Sequence, residues 1–86
     1  MCTYLAQTTD LAGSGSRGGD DWFTLRNAVV SFDHPQDALV EHALCLDLRG
    51  GAVDERVALE LDAASARRLA ETILAVLDTD EAKVLQ

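Results

Sequence analysis

His42-Ala43-Leu44-Cys45-Leu46-Asp47-Leu48 is the run that decides how this chain folds. Read as a strand, it sends His42, Leu44, Leu46 and Leu48 to one face and Ala43, Cys45 and Asp47 to the other. The strand spans about residues 41–48, and its imidazole at the rim of the apolar face is either a packed core residue or the polar group of a pocket. Working outward, Arg49-Gly50-Gly51 is a turn. Beyond it, residues 54–61 alternate Val57, Leu59 and Leu61 against Arg56, Ala58 and Glu60, and the short link makes the two strands a hairpin. Upstream, Trp22 to Phe32 alternates as a second strand, with Trp22, Thr24, Arg26, Ala28, Val30 and Phe32 opposite Phe23, Leu25, Asn27, Val29 and Ser31. Asp33-His34-Pro35 ends it, because proline has no amide proton for the ladder. Residues 3–11, rich in Thr, Tyr and Leu, form a first strand.

Downstream lies one helix, Ala63 to Leu77. Asp62 precedes it and can accept the orphan amide protons of the first turn. Ala66, Leu69, Ala70, Ile73, Val76 and Leu77 form one stripe at helical spacing. Arg67 and Arg68 fall on the wet side, within reach of Glu71. The tail from Asp78 to Gln86 frays or adds a short extension. The expected fold class is α+β: a four-stranded antiparallel sheet with one C-terminal helix packed on one face. Residues 1–86 make a single domain, with 13–21 a flexible Gly-rich loop.

The helix stripe matches Leu44, Leu46, Leu48, Val57, Leu59 and Leu61. The opposite face offers Ala43, Cys45 and Ala58 among Asp47, Arg56 and Glu60. One helix covers only one face, so the expectation is a homodimer in which the second faces, or the sheet edges, meet. The alternative is a monomer with a solvated mixed face.

A net charge of −8 disfavours phosphate backbones and anionic bilayers, so neither nucleic acid nor membrane is an expected partner. No window has the roughly 18–20 apolar residues of a membrane span. The first residues lack the basic flank and apolar run of a signal peptide, which points to the cytoplasm and to Cys2 and Cys45 as reduced thiols.

His34 and His42 are the two imidazoles, eight residues apart across a loop. They are the candidates for general acid/base catalysis. With Cys2 they also form a candidate trio of metal ligands, Asp33 lying close by, although the spacing matches no metal motif. Otherwise His34 is a turn residue and His42 a hydrogen-bonded rim residue. A mature N-terminal Cys2 would place an amine beside a thiol; otherwise it is an idle thiol. Trp22, Phe23 and Tyr4 are candidate walls of a ligand pocket with His34 and His42, or simple core. Gly13-Ser14-Gly15 does not pass from strand to helix, so it is no phosphate loop.

Met1-Cys2-Thr3-Tyr4-Leu5, Gly13-Ser14-Gly15, Trp22-Phe23, Asp33-His34-Pro35, Glu41-His42 and Ser65-Ala66-Arg67-Arg68-Leu69-Ala70-Glu71 together resemble a family of small, uncharacterised actinobacterial proteins. The resemblance spans most of the chain and carries no activity. Such proteins are sometimes encoded near natural-product pathways, which implies a role on a hydrophobic metabolite. Ser16-Arg17 stands where relatives are expected to carry a lysine.

The expected function is a homodimeric binding or accessory domain for a small, partly apolar metabolite near Trp22, His34 and His42. The alternatives are a small enzyme using His34 and His42, and a metal-binding protein using Cys2, His34 and His42. No cofactor is expected, with zinc or another transition metal as the alternative.

Overall fold

The computed structural model describes residues 5–86; the expectations for Cys2 and Tyr4 lie outside them. Strands β1 (Ala6–Ser16), β2 (Trp22–Asp33), β3 (Ala43–Arg49) and β4 (Arg56–Leu61) are followed by helices α1 (Ala63–Leu77) and α2 (Asp80–Leu85). The strands form one antiparallel sheet in the order β1-β2-β3-β4. The expected α+β class and four-stranded antiparallel sheet are therefore the observed ones.

Register fixes the faces. Val30, Leu46 and Leu59 pair across β2, β3 and β4, as do Ser31, Cys45 and Glu60 one residue along. The first set faces α1. The second belongs to the polar face, with Val29, Asp47 and Ala58. Because the side-chain period is two, every alternate residue follows this assignment.

The first strand differs from the 3–11 expected, and the flexible loop from 13–21. Gly13 to Ser16 continue β1 and pair with Leu25, Thr24, Phe23 and Trp22. The glycines serve the pairing. A Cβ on Gly15 would stand 3.1 Å from Phe23 Cζ and 3.2 Å from Leu25 Cδ2. A bulge between Asp10 and Gly13 shifts the register by one residue, which keeps both glycines opposite large polar-face side chains. Only the turn that follows escapes the ladder, with Gly18 and Gly19 at φ of 128° and 57°. Its Arg17 ion-pairs with Asp21 at 2.9 Å and with Asp54 at 3.1 Å, and lies 5.6 Å over the Phe23 ring. The arginine thus ties the β1–β2 turn to the β3–β4 turn.

α1 has the limits read from the sequence. Asp62 Oδ1 accepts the Ser65 amide at 2.7 Å, and that hydrogen bond holds the carboxyl below its usual range. Arg68 donates to Ser65 Oγ at 3.0 Å rather than pairing with Glu71. The tail is a short helix, capped by Thr79 Oγ1 accepting the Ala82 amide. α1 packs against β3 and β4. An apolar cleft of about 640 Å³ separates its first turns from Val30, Phe32, Leu44 and Leu61. No residue of α1 is buried. Among the described residues the buried apolar side chains are Phe23, Ala28 and Ala43. The molecule measures 44 × 30 × 24 Å.

Candidate functional site

A groove of about 860 Å³ runs over Val29, Cys45 and Ala58, between the loop after β2 and the ends of β3 and β4. Asp33 and His34 stand at one end of it, Arg49 and Arg56 at the other.

Arg49 and Arg56 pair directly across β3 and β4, an arrangement that costs free energy when like charges are uncompensated. Asp47 compensates both. Its Oδ2 accepts from Arg49 Nε at 2.8 Å and its Oδ1 from Arg56 Nε at 2.9 Å. Burial pushes the Asp47 carboxyl up, but the two guanidiniums outweigh it and hold it below the usual carboxylate range. Here two arginines share one carboxylate, whereas the rest of the groove is lined by the carboxylates Asp33, Asp37 and Glu60.

Glu60 shapes the other end. Its carboxylate accepts the backbone amides of Gln36 at 2.6 Å, Asp37 at 3.0 Å and Ala38 at 3.1 Å. These bonds hold it below its usual range. They also pin the loop after β2 over the groove, since three amides that would otherwise face water share one fixed acceptor. Cys45 lies on the groove floor. Burial first, then the Glu60 and Asp33 charges, push its thiol up. A raised thiol pKa disfavours the nucleophilic thiolate, and Cys45 lines the groove beside Val29 and Ala58.

The imidazoles converge. The His34 and His42 rings lie 4.4 Å apart, and His42 stacks on Phe32 at 5.9 Å. The stack wraps the end of the sheet: Phe32 lines the apolar cleft and His34 the polar groove. His34 Nδ1 is 3.0 Å from the Glu41 carbonyl. A carbonyl only accepts, so Nδ1 carries the proton and Nε2 the lone pair of the neutral ring. Asp33 Oδ1 accepts the His34 amide at 2.7 Å. Both rings are exposed.

The aromatic pair does not join them. Trp22 and Phe23 open β2 and His34 follows its end, a separation of roughly 35 Å at the rise of a strand. Phe23 is 6% exposed, wedged among Gly15, Gly50 and Arg17. Trp22 is 62% exposed, on the helix side. Phe23 is core and Trp22 a distant surface residue, so a pocket built from Trp22, Phe23, His34 and His42 is not formed. Among the described residues no three His, Cys, Asp or Glu side chains converge as metal ligands; Cys2 of the expected trio lies outside them. No described helix is long and apolar enough to cross a membrane.

Sequence reasoning singled out neither Glu60 nor the Asp47-Arg49-Arg56 cluster as a site. The signal was present in the period-two alternation, which puts Cys45, Asp47, Arg49, Arg56, Ala58 and Glu60 on one face. The grip of Glu60 on a loop 22 or more residues away has no local signature.

The chain belongs to a family of unknown function (DUF6295), whose model matches residues 1–86. No curated protein and no solved structure matches it.

Proposed function

We propose that this member of a family of unknown function is a binding or accessory domain that holds a small, partly apolar metabolite in the polar-face groove. The observation that carries the reading is the groove itself: an apolar floor with opposed polar ends, on the face that α1 leaves open. Its floor of Val29, Cys45 and Ala58 takes an apolar body. His34 offers a hydrogen bond at one end, and the arginine pair favours an anionic group at the other. The Glu60 clamp supports a pre-formed site, because it fixes the covering loop before any ligand arrives.

A second reading, an enzyme with His34 and His42 as acid and base, draws support from their 4.4 Å approach and the fixed Nδ1 of His34. A cytoplasmic location belongs to the same proposal.

The test is a thermal-shift screen of small aromatic and branched-chain acids against the wild type and Ala58→Arg, which fills the groove floor. A ligand at a hundredfold its Kd stabilises the folded state by about 2.7 kcal/mol. The wild type gains a matching rise in Tm, and Ala58→Arg loses it. Equal stabilisation of both proteins refutes the groove as the site. Retained turnover of a bound compound by His34→Ala and His42→Ala removes the second reading.

A further inference from the structure

The helix side of the sheet is half covered. Four strands about 4.8 Å apart present a face roughly 19 Å wide, and one helix with its side chains spans about 10 Å. α1 lies on β3 and β4. Beside it, over β1 and β2, a hollow of about 400 Å³ is bounded by the apolar Leu5, Val30, Phe32 and Leu44 and by the polar Gln7, Thr8, Thr9 and Ser31 of the two strands. α2, with six residues, is too short to fill it and packs on α1.

α1 has the converse problem. Ile73 and Leu77, on its apolar stripe, are 50% and 54% exposed. The chain therefore carries an unfilled hollow and a half-exposed helix flank on the same side.

The areas agree. The accessible surface is 6528 Å², against roughly 4,900 Å² for a folded monomer of this mass. The Cα radius of gyration is 14.5 Å, against roughly 12 Å for a compact domain of this length. The excess, on the order of 1,000 Å² or more, is summed over the whole chain, and the half-exposed helix flank and the hollow beside it supply part of it. A homodimer that hid most of that excess on both copies would remove on the order of 2,000 Å², the lower end of obligate homodimer interfaces.

We propose that this face is the interface of a homodimer, in which α1 of each copy lies across the β1–β2 strip of the other. A second copy is the occupant because a two-fold axis fills both hollows and covers both helix flanks at once, using only surfaces this chain has. The interface lies on the side of the sheet opposite the groove, so it stands or falls independently of the proposed ligand site. It also moves the contact expected from the sequence: the faces that meet are the helix sides, not the second faces.

Sedimentation velocity of the full chain tests this. The wild type should sediment at twice its 9.2 kDa chain mass at micromolar concentration. Ile73→Lys and Leu77→Lys should weaken association at least tenfold, while Glu71→Lys, on the opposite flank of α1, leaves it intact. A folded wild type that stays monomeric up to about 100 µM overturns the proposal, whether or not another protein then binds it. So does a dimer that survives both lysine substitutions. If those variants unfold, the wild-type unfolding midpoint decides: a dimer's midpoint rises with protein concentration, and a constant midpoint overturns the proposal.

Discussion

Replacing Phe23 and Trp22 one at a time by alanine separates the faces of β2 by their energetics. The two residues are adjacent, both aromatic, and differ in exposure by a factor of ten, 6% against 62%. Phe23 fills a slot with no spare volume: a Cβ on Gly50 would stand 2.8 Å from its Cδ1, and one on Gly15 3.1 Å from its Cζ. Truncating a buried phenylalanine costs about 3–5 kcal/mol. The site lies near one end of the sheet, where the turns can partly close, so about 3 kcal/mol is expected here. Trp22 keeps little more than a third of its surface covered, and its loss should cost about 1 kcal/mol. With a urea m-value of about 1 kcal/mol per molar for so small a domain, Phe23→Ala should lower the midpoint by about 3 M and Trp22→Ala by about 1 M. Far-UV circular dichroism is the probe, since Trp22 is the single tryptophan, and protein concentration is held constant. Equal shifts, or a larger shift for Trp22→Ala, refute the assignment of Phe23 to the core and of Trp22 to the surface.

Three other outcomes follow from the same structure. Gly15→Ala should destabilise by about 1–2 kcal/mol through overpacking, whereas Gly13→Ala, whose Cβ would meet Leu25 Cδ1 only at 4.0 Å, should be near neutral in the same urea titration. Asp47 has its folded pKa depressed by Arg56 and Arg49 against the effect of burial. Its stabilisation is therefore complete above the unfolded aspartate pKa of about 3.9 and is lost as pH falls through the lower folded value. Its side chain is 16% exposed but both arginines are about half exposed, so Asp47→Asn should cost about 1 kcal/mol at pH 7 and much less near pH 2, measured by urea unfolding at both. Cys45, pushed up by burial and by Glu60 and Asp33, should react with an aromatic disulfide at pH 8 at least tenfold more slowly than a free thiol in a Cys2→Ser background; equal rates contradict the assignment.

The helix was legible because its signals are local. Asp62, the stripe from Ala66 to Leu77 and the break at Asp78 need no knowledge of the rest of the chain. β3 and β4 were legible from alternation, and Pro35 ended β2 near its true limit. β1 was misread because its glycines are placed for the bulk of Phe23 and Leu25 on the neighbouring strand, and that requirement belongs to the pairing, not to the segment. Trp22 and Phe23 were pooled into one pocket although a period of two already put them on opposite faces. The meeting of His34 and His42 was compatible with their spacing but needed the loop between them to fold back. The hold of Glu60 on residues 36–38 and the half-covered helix side emerge only from long-range geometry.

The central claim is that a second copy of this chain completes the apolar layer over β1 and β2. An isotope-filtered NOE experiment on a mixture of labelled and unlabelled chains addresses it directly. The account predicts contacts between copies from the Ile73 and Leu77 methyls to Leu5, Val30 and Phe32. Contacts between copies confined to Cys45 and Ala58 on the polar face, or none at millimolar concentration, contradict it.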